Sequence, residues 1–394
     1  MKKAPLFSDP LVGAEVYLPG LSAVEVSRRC SFLREARQMP LLWMLQQRSW
    51  QPGGLRALAE ELIAIFPARV PYQRFTYRDV GALGWLHRHL EAACTSPAHS
   101  LDPAGERVWG GDFIADLEAY RTGLVSLAAD KLCATEVTQA VQEALDYALA
   151  SPGSLTLAFG PPGVGKSAAA RNWCEQRPGV ARYIETPAVE NERGFYSAIA
   201  EELGIPRGSG YNGQQTSLRI IDVLKTSRLT LVLDEAQRLW PQRSRPTQTP
   251  MRLLWLTTLV NAGVPVGLVA LPEFFRLQRA LVQASGWSDA QFNRRLAMVK
   301  ELPARLGEED LHRVARHHLP EGNGDCYELL VRYAQASKVN LSGITETLRA
   351  ARFLARRTGR AEVAFTDLQD AVAQIRAPMD WLLAADPAQL CAEG

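Results

Sequence analysis

Leu155 to Ser167 reads LTLAFGPPGVGKS: an apolar five-residue run, then Gly160, Pro161, Pro162, Gly163, Val164, Gly165, Lys166 and Ser167. The spacing is G-x-x-x-x-G-K-[ST], and the following AAARNW is compatible with a helix. Strand, glycine-rich turn and helix in that order make a phosphate-binding loop. Glycines let the backbone turn tightly enough to aim several N–H groups at one phosphate, and the helix N-terminus adds its positive partial charge. Gly160 through Ala168 are therefore the expected phosphate cradle, with Lys166 reaching the outer phosphates and the Ser167 hydroxyl taking a Mg²⁺ position.

Outward from this loop, residues 154 to about 305 alternate apolar strands with helical stretches, the signature of an α/β fold with a parallel sheet covered by helices on both faces. Five strands are expected: LTLAF at 155, ARYIET at 181, LTLVLDE at 229, VPVGLVAL at 264 and MVKELP at 298. The third ends in Asp234-Glu235. In a parallel sheet both carboxylates then emerge at the carboxyl edge, where the phosphate loop also leaves its strand. Asp234 can complete the Mg²⁺ shell, and Glu235 can orient and deprotonate an attacking water. The plainer reading is a surface acid pair, but an acid pair closing a fully apolar strand needs a reason.

The rest of the 394 residues is less specific. Hydrophobic content of 47% is ample for folded cores, and a net charge of +2 excludes a bulk polycation while leaving local basic patches. No apolar run reaches about 18 residues, so a membrane partner is not expected, and MKKAPLFSDP has basic residues but no apolar segment behind them long enough for a signal peptide, which leads to a cytoplasmic expectation. Cys30, Cys94, Cys133, Cys174, Cys326 and Cys391 are dispersed without a C-x-x-C pair, indicating neither a disulfide framework nor zinc. Residues 1–125 carry apolar residues at three- and four-residue spacings and read as a mainly helical N-terminal domain, with Trp43, Trp50 and Trp85 on its apolar stripes. Pro97 to Asp112 reads as an extended connection, and the stretch from Ala128 to Ser151 as one long helix. A core at 126–305, a helical segment at 306–376 and a tail at 377–394 complete the division; Trp381-Leu382-Leu383 in the tail is either a docking peptide or a packed helix.

These motifs resemble the AAA+ ATPases, with GPPGVGKS as Walker A and LTLVLDE as Walker B. The segment QFNRRLAMVKELPARLGEEDLHRVA is similar to the place in that superfamily where a helix ends in arginines, a strand follows and a small helical lid begins. The resemblance implies ATP and Mg²⁺ as cofactors, and an arginine finger acting in trans, for which Arg295 is the first choice and Arg294 its neighbour. A surface ion pair is the alternative for both. More specifically, the order of GPPGVGKSAAARNW, ETPAVENERGFYSAIAEELGI, LVLDEAQRL and VPVGLVALPEF before QFNRR resembles the transposition ATPases, the family of phage Mu transposition protein B and the TnsC and TniB regulators. That resemblance implies self-assembly into rings or helical filaments on duplex DNA, recruitment of a transposase and, with a target-selector protein, choice of the target site. Two departures stand out. The polar sensor residue at the end of the fourth strand is replaced by Pro272-Glu273, and the arginine at the start of the lid helix LSGITETLRAAR by Ser342 or Gly343. Both imply hydrolysis that is slow or depends strongly on a neighbour's arginine.

DNA tracking needs cations facing phosphates. Three loci qualify: the loop after Walker B with Arg238, Arg243, Arg245 and Arg252, whose prolines exclude a regular helix and leave the arginines exposed; the neighbourhood of Asn191, Arg193 and Gly194; and Arg349, Arg352, Arg356 and Arg357 on the lid helix. The resemblance favours the first two, and a solvated basic face is the alternative for each. Rival functions share the core: a helicase loader or replication initiator, or a signalling or defence NTPase that never meets DNA.

Overall fold

The computed structural model describes residues 110–129, 131–189, 191–203, 212–227, 229–241, 249–336 and 340–376, together with two-residue strand pairs at Ala4–Pro5 with Tyr17–Leu18 and Ser100–Leu101 with Arg107–Val108. Most of the expected N-terminal domain, the tail, and Arg243 and Arg245 lie outside the described residues.

Five strands, β1 (Leu155–Phe159), β2 (Ala181–Glu185), β3 (Thr230–Asp234), β4 (Val266–Ala270) and β5 (Leu296–Glu301), form one sheet in the order β2-β3-β4-β1-β5. β2, β3 and β4 pair in parallel, with Glu185 opposite Asp234. At the other edge, Leu155 N–H donates to Arg295 O and Leu302 N–H to Phe159 O, so β5 also runs parallel to β1. Every residue of β3 and β4 is buried, as continuous apolar strands require, whereas β5 alternates along its length as an edge strand does. β5 starts at Leu296 rather than Met298 because the ladder already begins with the Arg295 carbonyl.

Helices connect the strands: α1 (Gly110–Ala129), α2 (Glu136–Ala150), α3 (Lys166–Glu175), α4 (Glu192–Glu202), α5 (Gly213–Ser227), α6 (Met251–Asn261), α7 (Glu273–Ser285) and the short α8 (Ala290–Asn293). The single helix expected from Ala128 to Ser151 is therefore two. Thr135 restarts the chain as an N-cap, its hydroxyl accepting from Thr138 N–H at 3.2 Å. The connection expected up to Asp112 ends earlier, since α1 starts at Gly110.

Cα packing divides the chain into two units, described separately. The first holds α1, Ala144–Leu157 and Ala170–Val299. Its core is aromatic: Trp173, Phe195, Phe274 and Phe292 are fully buried, Phe195 and Tyr196 meet Trp255 edge-on, and Trp240 packs on Phe274 and Phe292. Gly267 of β4 lets α2 approach closely, for a Cβ there would stand 2.2 Å from Leu145 Cδ2. The second unit holds Leu132–Glu143, the phosphate-loop segment Ala158–Ala169, and the chain from Lys300. Its helices are α9 (Glu308–His318), α10 (Gly324–Ala336), α11 (Asn340–Arg357) and α12 (Phe365–Asp370), the last followed by one wider turn at Ala371–Arg376. Leu311, Val314, Leu330, Ile344, Leu348 and Leu368 make its apolar interior. The α2 N-terminus is fastened within this unit, Glu136 N–H donating to Asp310 Oδ2 at 2.8 Å and Arg313 to Ala134 O at 2.7 Å. Among the described residues no helix is long and apolar enough to cross a membrane.

Candidate functional site

The phosphate loop leaves β1 at its half-buried last residue, Phe159, and runs into α3, which begins at Lys166. Gly163 and Gly165 have φ of 79° and 95°, the left-handed region that side chains avoid. Gly160 is required by packing instead: a Cβ there would stand 2.8 Å from Leu302 Cβ. Val164 anchors the loop from beneath as a buried side chain, while Pro162 and Ala168 are exposed and Pro161 is half-buried. Lys166 is buried, its Nζ donating to Pro161 O at 2.5 Å, so the ammonium lies along the loop backbone. Ser167 is half-buried at the first turn of α3. Within the same unit the start of α11 meets the loop. Ser342 N–H donates to Gly163 O at 3.3 Å, and Leu341 Cδ1 lies 3.0 Å from where a Gly165 Cβ would stand. The expected sensor position thus touches the loop through backbone and an apolar side chain, not through an arginine.

The acid pair is built at the end of β3. Asp234 is buried, with Oδ1 accepting from Glu235 N–H at 2.8 Å and Oδ2 from the Tyr183 hydroxyl at 2.7 Å. Tyr183 comes from β2, two residues before Glu185. Burial, and then the Asp234 carboxylate, push its hydroxyl pKa up, so the phenol stays a donor. Arg171 lies over the Tyr183 ring at 4.9 Å and reaches its oxygen at 3.5 Å. A carboxylate has about four acceptor positions, so Asp234 keeps capacity for a further partner, and hard oxygens suit Mg²⁺.

Glu235 has φ 52° and ψ 39°, a left-handed conformation costing a non-glycine residue about 1 to 2 kcal/mol. Gln237 Nε2 donates to Glu235 Oε2, and Arg238 Nη2 stands 4.0 Å from the same oxygen. Gln237 Oε1 in turn accepts from Leu271 N–H at 3.1 Å, just beyond β4. Glu273, at the start of α7, faces Arg276 at 3.7 Å. Tyr183, Arg171 and Gln237 were not singled out by sequence reasoning. Gln237 stands inside the LVLDEAQRL motif, but its role depends on a turn, and that of Tyr183 on strand register.

The comparisons with known proteins bear on this arrangement. Residues 150–278 match the family model of an AAA domain. The P-loop core is thus that of an AAA domain, matched from just before β1 into α7. No match to this chain was found among curated proteins. Among solved structures, the chain is similar to the Aeropyrum pernix ORC2 protein, in ADPNP–ADP complexes, at 16% identity and TM-score 0.43, covering 65% of this chain and 69% of that one. It is similar to Cdc6p from Pyrobaculum aerophilum at 17% identity and TM-score 0.45, covering 60% of this chain and 66% of that one. It is also similar to domain III of the Thermotoga maritima replication initiation protein DnaA at 15% identity and TM-score 0.44, covering 62% and 94%.

Around the AAA core the arginines divide sharply. Arg252 lies on α6, where it is buried over the Phe195 ring, 3.4 Å from Glu192, and donates to the carbonyls of Arg238 and Val189. Its guanidinium is turned inward rather than carried on an exposed loop. Arg238 is half-buried and committed to Glu185 at 2.7 Å and to Thr186 O. Arg193 is exposed at the first turn of α4, after the Asn191 cap, and among the described residues no side-chain bond engages it. Arg295 is held at home: Nε and Nη2 donate to Asn261 Oδ1 at 3.1 and 3.0 Å, and Nη1 to Gln291 O at 2.5 Å. Arg294 beside it is exposed, lines the same surface hollow, and has no side-chain partner among the described residues. On α11, Arg349, Arg352 and Arg356 flank a groove with the exposed Phe353; Arg349 pairs with Glu346 and Arg352 donates to His318 O.

Proposed function

We propose that this chain is an ATP-dependent, DNA-binding AAA+ regulator of DNA transposition. It assembles on duplex DNA with ATP, recruits and stimulates a transposase, with a target-selector protein as a further partner, and disassembles on slow hydrolysis. The observation that carries the catalytic half is the acid edge of β3: a buried Asp234 with two fixed hydrogen bonds, followed by a left-handed Glu235 whose carboxylate accepts from Gln237. The transposition half is supported by the linked order of motifs from GPPGVGKS to QFNRR.

In this reading Gly160 through Ala168 bind the phosphates of ATP, Lys166 meets the outer ones, Ser167 and Asp234 hold Mg²⁺, and Glu235 takes the proton of the attacking water. When bound, Mg²⁺ neutralises charge on the outer phosphates. Arg294 replaces Arg295 as the preferred finger toward a neighbouring subunit, since among the described residues Arg295 is held by Asn261 and Gln291 while no side-chain bond engages the exposed Arg294. Helices α9 to α12 act as the lid, and slow turnover fits an α11 start that, among the described residues, meets the loop through the Ser342 N–H and Leu341 rather than an arginine. Duplex DNA meets Arg193 together with Arg243 and Arg245; Arg238 and Arg252 leave the DNA set because internal acids and carbonyls already hold them. The test is assembly with ATP and Mg²⁺ on long duplexes of unrelated sequence. Assembly restricted to single strands supports the loader or initiator reading, and nucleotide turnover indifferent to DNA supports the signalling one.

A further inference from the structure

We propose that Gln237 is a positioning residue that fixes the Glu235 carboxylate against the end of β4, a proposal resting on the reading of Glu235 as the base that activates water. The primary amide has one accepting and one donating end. The accepting end is set by the Leu271 N–H, 3.1 Å from Oε1, which belongs to the backbone just past a fully buried strand. With the oxygen committed there, the NH₂ group must face Glu235, where it donates to Oε2. Only this orientation satisfies both ends.

The platform beneath Gln237 is rigid. It lies in the single turn Ala236–Leu239, whose Ala236 and Leu239 are buried, and Trp240 closes that turn by packing on Phe274 and Phe292. Arg238 N–H donates to Glu235 O at 2.9 Å and Trp240 N–H to Gln237 O at 3.3 Å. Gln237 itself is 8% exposed. Glu235, by contrast, is partly open to solvent and meets Arg238 only at 4.0 Å, while that guanidinium is already bound to Glu185 at 2.7 Å. Without Gln237 the carboxylate is free to turn into water. The amide therefore supplies, from the turn after β3, a polar link between Glu235 and the end of β4.

The experiment uses the full chain, ATP with Mg²⁺, and the variants Gln237→Leu, Gln237→Glu, Glu235→Gln and the double variant Glu235→Gln/Gln237→Leu. Gln237→Leu keeps the size and removes both bonds. Its kcat is expected to fall roughly 10- to 100-fold with KM for ATP within about twofold, and the Leu271 amide to exchange hydrogen faster. In the Glu235→Gln background the same change is expected to cost nothing more, because the group it orients is gone. Gln237→Glu places a like charge beside Glu235 and is expected to move the acid limb of the kcat profile to higher pH; it carries the test if the leucine variant does not fold. An unchanged or raised kcat in Gln237→Leu, a full loss on top of Glu235→Gln, or an unmoved pH profile in Gln237→Glu overturns the proposal. If Glu235→Gln alone leaves hydrolysis intact, the reading of Glu235 falls and the proposal with it. If Glu235→Gln abolishes hydrolysis while Gln237→Leu does not touch it, only the proposal falls.

Discussion

The Tyr183 hydroxyl on β2 donates to Asp234 Oδ2 on β3 at 2.7 Å, two strands joined at their carboxyl ends by one side-chain bond. Such a second partner orients a metal-holding carboxylate, and its removal commonly costs about 10- to 100-fold in metal affinity or activity. Tyr183→Phe is expected to raise the Mg²⁺ concentration for half-maximal ATP hydrolysis about 10-fold. Binding of ATP without Mg²⁺ is expected to stay the same. A Mg²⁺ titration that superimposes on that of the unmodified protein removes Tyr183 from the site.

Arg294 and Arg295 should separate cleanly. Arg295→Ala forfeits the bonds to Asn261 and Gln291 and is expected to lower stability by about 1 kcal/mol per bond lost, with little change in hydrolysis per assembled subunit. Arg294→Ala is expected to leave the melting temperature unchanged and to lower assembly-stimulated hydrolysis by roughly 10³-fold. Mixing it with Glu235→Gln subunits restores activity if the arginine acts on a neighbour's nucleotide, and leaves the mixture inactive if it does not.

Arg252 and Arg193 make a second contrast. Arg252→Ala removes the ion pair with Glu192 and the bonds to two backbone carbonyls and is expected to cost about 3 kcal/mol of stability, read by denaturant melting, while the salt dependence of DNA binding by the folded fraction stays as it was. Arg193→Ala is expected to leave stability unchanged and to flatten the slope of log K against log salt by about 0.9. The opposite pattern would return Arg252 to the DNA surface.

How much of this was legible in the sequence follows from the range of the forces involved. The five strands and the two loops rest on local pattern: continuous apolar runs closed by GPPGVGKS or by Asp-Glu, and all five stand where the runs are. The break between α1 and α2 escaped because apolar spacing continues across residues 130–135, and only the Thr135 cap reveals the stop. Partners across the sheet are of another kind. Tyr183 faces Asp234 because Glu185 pairs with Asp234, a register no spacing encodes. Arg252 looks like one cation among several on a proline-rich stretch, and nothing local tells that Phe195 and Glu192, some sixty residues earlier, turn it inward.

The helices after β5 have a pH dependence of their own. His318 has its pKa lowered, first by burial and then by the charges of His317 and Arg352, and its carbonyl accepts from Arg352. A histidine kept neutral in the fold contributes stability that is full above the unfolded value of about 6.5 and is lost as pH falls through its folded value. The melting temperature is expected to drop between about pH 7 and pH 5, and His318→Gln is expected to flatten that drop. An identical profile in the variant shows that other groups set it.

The central claim is that ATP is the signal for assembly on DNA and that hydrolysis at Glu235 ends it. Sedimentation of the full chain on long duplex DNA, with ATP or ADP and with Glu235→Gln beside the unmodified protein, tests it most directly. The account predicts large assemblies on any duplex with ATP, none with ADP, and assemblies of Glu235→Gln that persist after the unmodified protein has dispersed. Assembly indifferent to nucleotide, or Glu235→Gln assemblies that disperse at the same rate as those of the unmodified protein, would contradict it.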